Sequence, residues 1–175
     1  MLQSPCAWRT PSALLVLPPG EWVVLLRGQP VWNDVGIRFD EGSDSGQRFT
    51  RGSLRARNDC MNGAALETLI SFDTDVEILH AQPHARLSVR ADCIFAYDGT
   101  VKPTQQSGEF CSFTGQGNVA VAVGRDFGML PVENGRERII ACSAVRAWQG
   151  TLHFETQNGA AIYRVTGHGT VWWGT

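Results

Sequence analysis

Residues 147–152 read Ala-Trp-Gln-Gly-Thr-Leu, and residues 165–173 read Val-Thr-Gly-His-Gly-Thr-Val-Trp-Trp, with the polar pair Asn158-Gly159 between them. The same order stands earlier in the chain. Residues 96–101 are Ala-Tyr-Asp-Gly-Thr-Val and residues 113–119 are Phe-Thr-Gly-Gln-Gly-Asn-Val, separated by the polar run 105–108. Ala96 aligns with Ala147, Tyr97 with Trp148 and Gly99 with Gly150; Gly115 and Gly117 align with Gly167 and Gly169, and Val119 with Val171. Self-similarity at this spacing is an architectural signal and is read before any local feature.

Working outward, the spacing divides the 175-residue chain into a single β domain, 1–175, with internal repeats at roughly 12–72, 76–124 and 128–175. The first copy is degenerate. It keeps a Pro-containing turn (Pro19) before a strand and an aromatic (Trp32) before a polar turn, but lacks the Gly-x-Gly. Trp22-Val23-Val24-Leu25-Leu26 has the unbroken apolar character of a strand buried on both faces. From Thr68 onward period two dominates, with Leu69/Ser71, Val76/Ile78, Leu87/Val89 and Val119/Val121/Val123 as the alternating pairs. Residues 64–69 fit either a short helix or the start of a strand. Asn158-Gly159 is a hairpin signal, because a type I′ turn needs positive φ at both central residues. Many short strands between Gly, Pro and Asn turns predict an all-β sandwich or barrel with few or no helices.

Composition narrows the function classes. The net charge of −2 counts against a nucleic-acid partner held by bulk electrostatics, since such domains usually have a pI above about 9. Arg48, Arg51, Arg55 and Arg57 form a modest basic cluster, read as a solvated loop. The five cysteines are odd in number and show no C-x-x-C spacing, so neither a disulfide framework nor a zinc knuckle is indicated. Residues 13–17 are too short an apolar run for a signal-peptide core, and no stretch approaches the ~20 apolar residues that span a bilayer. A reducing, cytoplasmic setting is the expectation.

Residues 15–21 (Leu-Val-Leu-Pro-Pro-Gly-Glu), the strand 88–101 ending in Ala-Tyr-Asp-Gly, and the Gly-x-Gly strands 113–119 and 165–171 together resemble the AIM24 family, β-rich proteins related in fold to the trp RNA-binding attenuation protein (TRAP). The resemblance covers most of the chain. It implies repeated double-stranded β-helix or sandwich lobes, a TRAP-like fold, and homo-oligomers that tend to be trimers. In eukaryotes the family is linked to mitochondrial inner-membrane organisation. It carries over no catalytic residue and no cofactor.

The residues themselves offer few alternatives. Gly115, Gly117, Gly167 and Gly169 read as turn glycines: each pair sits between two strands, where the backbone must turn a corner. A phosphate cradle would need a helix start afterwards, and β-type sequence follows instead. His80 and His84 are four apart, but Pro83 between them spoils a helical metal face. His153 and Glu155 fall on one face of a strand and are the remaining metal candidates. A double-stranded β-helix metalloenzyme would need a further histidine beside them; the plainer reading is an exposed cross-strand polar pair. Cys93, Cys111 and Cys142 read as small apolar packing. Trp172 and Trp173 must point to opposite faces. Alignment with Val121 places Trp173 on the core, and leaves Trp172 for a subunit interface.

These features lead to a non-enzymatic scaffold or interaction protein as the expected function. A cupin-like metal-dependent enzyme using His153 and Glu155, and a single-stranded RNA binder, are the alternatives.

Overall fold

Val23, Val24 and Leu25 are consecutive, apolar and all buried. Neighbouring side chains on a strand point to opposite faces, so such a run is stable only between two layers. Val23 and Leu25 enter one core cluster and Val24 enters the next. The strand they form belongs to a middle sheet covered on both sides.

The computed structural model describes residues 7–9, 12–41, 52–59, 63–157, 159 and 161–175. Its strands in chain order are β1 (Ala7–Arg9), β2 (Ser12–Leu17), β3 (Trp22–Leu25), β4 (Gln29–Asn33), β5 (Ile37–Glu41), β6 (Gly52–Ala56) and β7 (Leu66–Ser71). There follow β8 (Val76–Ala81), β9 (Leu87–Arg90), β10 (Ile94–Asp98), β11 (Val101–Ser107), β12 (Phe110–Gly115) and β13 (Gly117–Ala122). The last are β14 (Phe127–Val132), β15 (Arg138–Ala141), β16 (Val145–Thr156) and β17 (Ile162–Gly174). Two one-turn 3-10 segments, Ala91–Cys93 and Cys142–Ala144, are the helical elements among these. The fold is all-β, in agreement with the turn-rich sequence, and residues 66–71, ambiguous in sequence, are strand.

Three antiparallel sheets are formed. A four-stranded sheet runs β1-β2-β7-β4, a six-stranded sheet β5-β6-β3-β10-β13-β8, and a seven-stranded sheet β11-β12-β9-β16-β17-β14, with β15 also on β17. Leu15, Leu17 and Ile70 of the first sheet pack against Leu25, Leu54 and Phe95 of the second. Val119, Val121 and Tyr97 of the second pack against Leu87, Val89 and Phe113 of the third. The third cluster is smaller: Val132, Val145, Val165 and Val171 are fully buried and are rimmed by half-buried Ile140, Trp148, Leu152 and Phe154.

The pairing registers recur. Ala96 lies opposite Ala120 and Tyr97 opposite Val119, with a one-residue bulge between Ile94 and Ala96. Ala147 lies opposite Trp172 and Trp148 opposite Val171, with a bulge between Val145 and Ala147. In the first part of the chain Trp32 lies opposite Leu69 and Asn33 opposite Thr68, with a bulge between Pro30 and Trp32. A second pattern links successive segments. Leu25 pairs with Ala96 and Val24 with Tyr97; Val89 pairs with Ala147 and Ser88 with Trp148.

The hairpin between β16 and β17 is longer than a two-residue turn. The last paired residues are Thr156 and Tyr163. Gly159 has φ +73, and Asn158 lies outside the described residues, as do Cys6, Cys60, Arg48, Arg51 and residues 42–47.

Leu25 is fully buried at the junction of two segments, so Leu25→Ala should cost about 2–5 kcal/mol. Met129 is exposed, and Met129→Ala should stay within about 0.5 kcal/mol. Urea unfolding of the two variants checks the contrast.

Candidate functional site

The first Gly-x-Gly element sits where β12 gives way to β13; Gly167 and Gly169, expected at a turn, instead lie within β17, which is paired with β16 through both of them. Gly115 has φ +103 and Gly167 φ +109, a region that L side chains avoid. Space is also short: a Cβ on Gly115 would stand 2.5 Å from the Thr100 carbonyl oxygen, and one on Gly167 2.1 Å from that of Thr151. Gly117 and Gly169 are not in the positive-φ region, and steric approach alone holds them. The Cβ of Gly169 would lie 2.2 Å from the Gln149 carbonyl oxygen, and that of Gly117 2.7 Å from the Val101 side chain. The two elements occupy matching positions, Gly115 opposite Val101 and Gly167 opposite Leu152. At the first corner the ribbon passes from the middle sheet (β10, β13) to the seven-stranded one (β11, β12).

A polar network lies behind that first corner. Asp98 accepts hydrogen bonds from the Asn118 backbone N–H at 2.8 Å and from Asn118 Nδ2 at 3.1 Å. His80 Nδ1 is 3.2 Å from Asn118 Oδ1. Burial raises the Asp98 carboxyl above its ordinary value; the Asn118 hydrogen bonds pull it the other way and do not cancel the desolvation. Asp34 makes the matching bond, accepting from the Glu67 N–H at 2.8 Å. Gln149 takes the corresponding place opposite Thr170, and its Nε2 is shut off from solvent without a hydrogen-bond partner among the described residues. The network closes a turn; its one histidine faces an amide. In the sequence the pointer to this network is the acid–glycine pair Asp98-Gly99 just before a strand.

His153 and Glu155 are exposed on the outer face of β16, opposite Thr166 and Arg164. Arg164 is ion-paired to Glu137. His168, opposite Thr151, is the next outward residue along the ladder from His153, but no group of three His, Cys, Asp or Glu side chains among the described residues is placed to hold a metal. His84 lies in the tight turn closed by the Gln82–Ala85 bridge.

Cys93 and Cys111 are buried free thiols, while Cys142 is only half-buried. Burial, with the nearby Asp92 carboxylate adding to it, pushes the Cys93 thiol up to about 11; an un-ionised thiol is a poor nucleophile. Of the basic cluster, Arg55 stacks 5.4 Å from the Trp22 ring centroid and Arg57 is ion-paired to Asp59.

The terminal tryptophans correct the sequence expectation. Trp172 and Trp173 do take opposite faces, but Trp172 is the one that packs against the second core cluster. Trp173 joins no cluster; its ring covers Gly128. The case for Trp172 as an interface residue rested on its lacking cover within the chain, and that premise does not hold. The exposed large apolar side chains lie elsewhere: Val31 and Trp32 on β4, Val35 beyond it, Phe39 on β5, Phe127 and Met129 on β14, and Ile139 on β15.

No family model matches the chain, and no curated protein matches it. Among solved structures it is similar to the protein SPYM3_0169 from Streptococcus pyogenes, with a TM-score of 0.74 and 15% identity over 94% of this chain and 88% of that one. At that identity the likeness is one of fold. No helix among the described residues is long and apolar enough to cross a membrane.

Gly115→Ala and Gly167→Ala should each destabilise by more than about 1 kcal/mol, the opposite sign to Gly→Ala at a compatible site; chemical denaturation reads this directly. Asp98 has a folded-state pKa above its unfolded one. Its contribution is therefore fully present below the ordinary Asp value and is lost as pH rises through the raised value. Asp98→Asn should remove this pH dependence, so the stability difference between variant and wild type should change across that window. A difference constant with pH would show that Asp98 is not shifted.

Proposed function

We propose that the chain is a non-enzymatic β-repeat scaffold or interaction protein of the AIM24 type, built from three copies of one TRAP-like unit and working as a homo-oligomer. The observation that carries this reading is the distribution of pairing surface. Strands with the same registers follow one another along the chain, and at its two ends the strand edges are left open with apolar side chains in solvent: Trp32 on β4 and Ile139 on β15. An unpaired strand edge that carries exposed apolar side chains is a template for pairing with another chain. The polar groups that do converge, Asp98, Asn118 and His80, bond one another beside a turn.

The two competing readings make measurable claims. A cupin-like enzyme would take up a divalent metal near stoichiometrically, and His153→Ala or Glu155→Ala would abolish the uptake. An RNA scaffold would bind single-stranded RNA with a strong inverse dependence on salt. We expect the purified protein to take up no zinc, iron or manganese on titration followed by elemental analysis, and to leave the anisotropy of a labelled single-stranded RNA unchanged at low ionic strength. Stoichiometric metal lost on His153 or Glu155 substitution, or salt-sensitive RNA binding, would replace the proposal.

A further inference from the structure

Two strand junctions within the chain are built alike. At the first, β3 lies beside β10, with Leu25 opposite Ala96, Val24 opposite Tyr97 and Val23 opposite Asp98. At the second, β9 lies beside β16, with Val89 opposite Ala147, Ser88 opposite Trp148 and Leu87 opposite Gln149. Each junction joins three strands of one segment to three of the next. The next strand of this kind is β15, which among the described residues pairs with β17 on one side only. The strand that precedes the series in the other role is β4, which among the described residues pairs with β7 on one side only. β4 is therefore one half of a junction and β15 the complementary half.

Burial follows the same division. Ala96 and Ala147 are 1% and 0% exposed, and Trp32 in the matching position is 45% exposed. Val24 and Ser88 are each 4% exposed, and Ile139 in their position is 65% exposed. Positions that are core at the two complete junctions are in water at the two incomplete ones.

We propose that the β15 edge of one chain pairs with the β4 edge of a second copy, head to tail, in the register used twice within the chain. The proposal rests on the repeat reading above and deepens it by naming the surface and the partner. Carried over, that register sets Trp32 opposite Ile140, Asn33 opposite Ile139 and Asp34 opposite Arg138. The last pair is complementary in charge. Arg138 Nε is shut off from solvent and has no hydrogen-bond partner among the described residues, while one Asp34 oxygen is engaged by the Glu67 N–H. The faces also fit. The third core, with Ile140 and Trp148 half-buried on its rim, would be closed by the outer face of the four-stranded sheet, where Leu14, Val16 and Leu69 are half-buried. Between chains there is no covalent tether to offset the entropy of association. A tryptophan at the open position, where the internal junctions have alanine, supplies the additional apolar area. Head-to-tail contacts of this type close into rings when the rotation allows.

The test uses the full chain in native mass spectrometry and light scattering. Wild type should be an assembly of several chains. Trp32→Lys blocks one edge and Ile139→Lys the other; both positions are solvent-exposed in the single chain, so each variant should keep the β-rich circular dichroism spectrum and run as a monomer. Mixing the two variants should give a heterodimer that grows no further, because each supplies one open edge. Arg138→Glu should weaken assembly, and adding Asp34→Lys in the same chain should restore it. A monomeric wild type, an assembly untouched by both edge variants, or variants that do not combine on mixing would overturn the proposal. A monomeric wild type would also remove the homo-oligomer from the proposed function, whereas an assembly that uses other surfaces would not; the choice between scaffold, enzyme and RNA binder rests on the metal and RNA measurements, which do not depend on assembly state.

Discussion

A strand edge with apolar side chains has to be paired and covered, because unpaired N–H and C=O groups template unwanted association. The architecture of this chain follows from how that requirement is met. The middle sheet is not the product of one stretch of sequence: β5, β6 and β3 come from residues before 57 and β10, β13 and β8 from residues after 75. The pairing of β3 with β10 turns two half-sheets into one layer, and only then do Val23, Val24 and Leu25 become buried on both faces. Without that junction the first two cores would both be open along one side.

The corners make this sharing geometrically feasible. A ribbon that begins in the middle sheet as β10 and β13 continues in the next as β11 and β12. The change of sheet falls at Gly115–Gly117, where one residue has positive φ and the other has no room for a side chain. Asp98 stabilises the turn beside it by accepting the Asn118 N–H. A carboxylate in a position that burial disfavours is held there by the backbone donor it satisfies, so the same group is useful for geometry and unfavourable for its charge. In the first part of the chain the corresponding stretch, after Ala56, has no Gly-x-Gly and continues through a longer connection to Leu66.

Much of this was legible in sequence. The unbroken apolar run at Val23–Leu25 and the glycine spacing are local consequences of burial and backbone sterics, and both survive into the structure. The hairpin signal at Asn158-Gly159 falls between β16 and β17, which pair with each other. What could not be read was which of two faces the chain finishes by itself. Val119 and Val171 match in register, but Val119 faces the second core and Val171 the third. Ala120 correspondingly faces the first core, and Trp172 the second. Each segment advances by one core, so the large apolar set in β17 points at the incomplete one, and the second face, which alternation marks only as different, is already covered. The Asp98 network was missed for a similar reason: its hydrogen-bond partner is twenty residues away and its burial comes from a third segment.

The junction between β3 and β10 has a temporal side. β3 is synthesised long before its second neighbour, and some seventy residues separate Leu25 from Ala96. During that interval the growing polypeptide carries an apolar strand with one bonding edge vacant. Contacts this distant in sequence form slowly, since the loop must close before any pairing energy is gained. A ribosome paused between these segments would hold a half-sheet whose natural mate is chemically equivalent to the same strand on a neighbouring nascent chain. Exchange of that strand between molecules is therefore the characteristic error open to this fold.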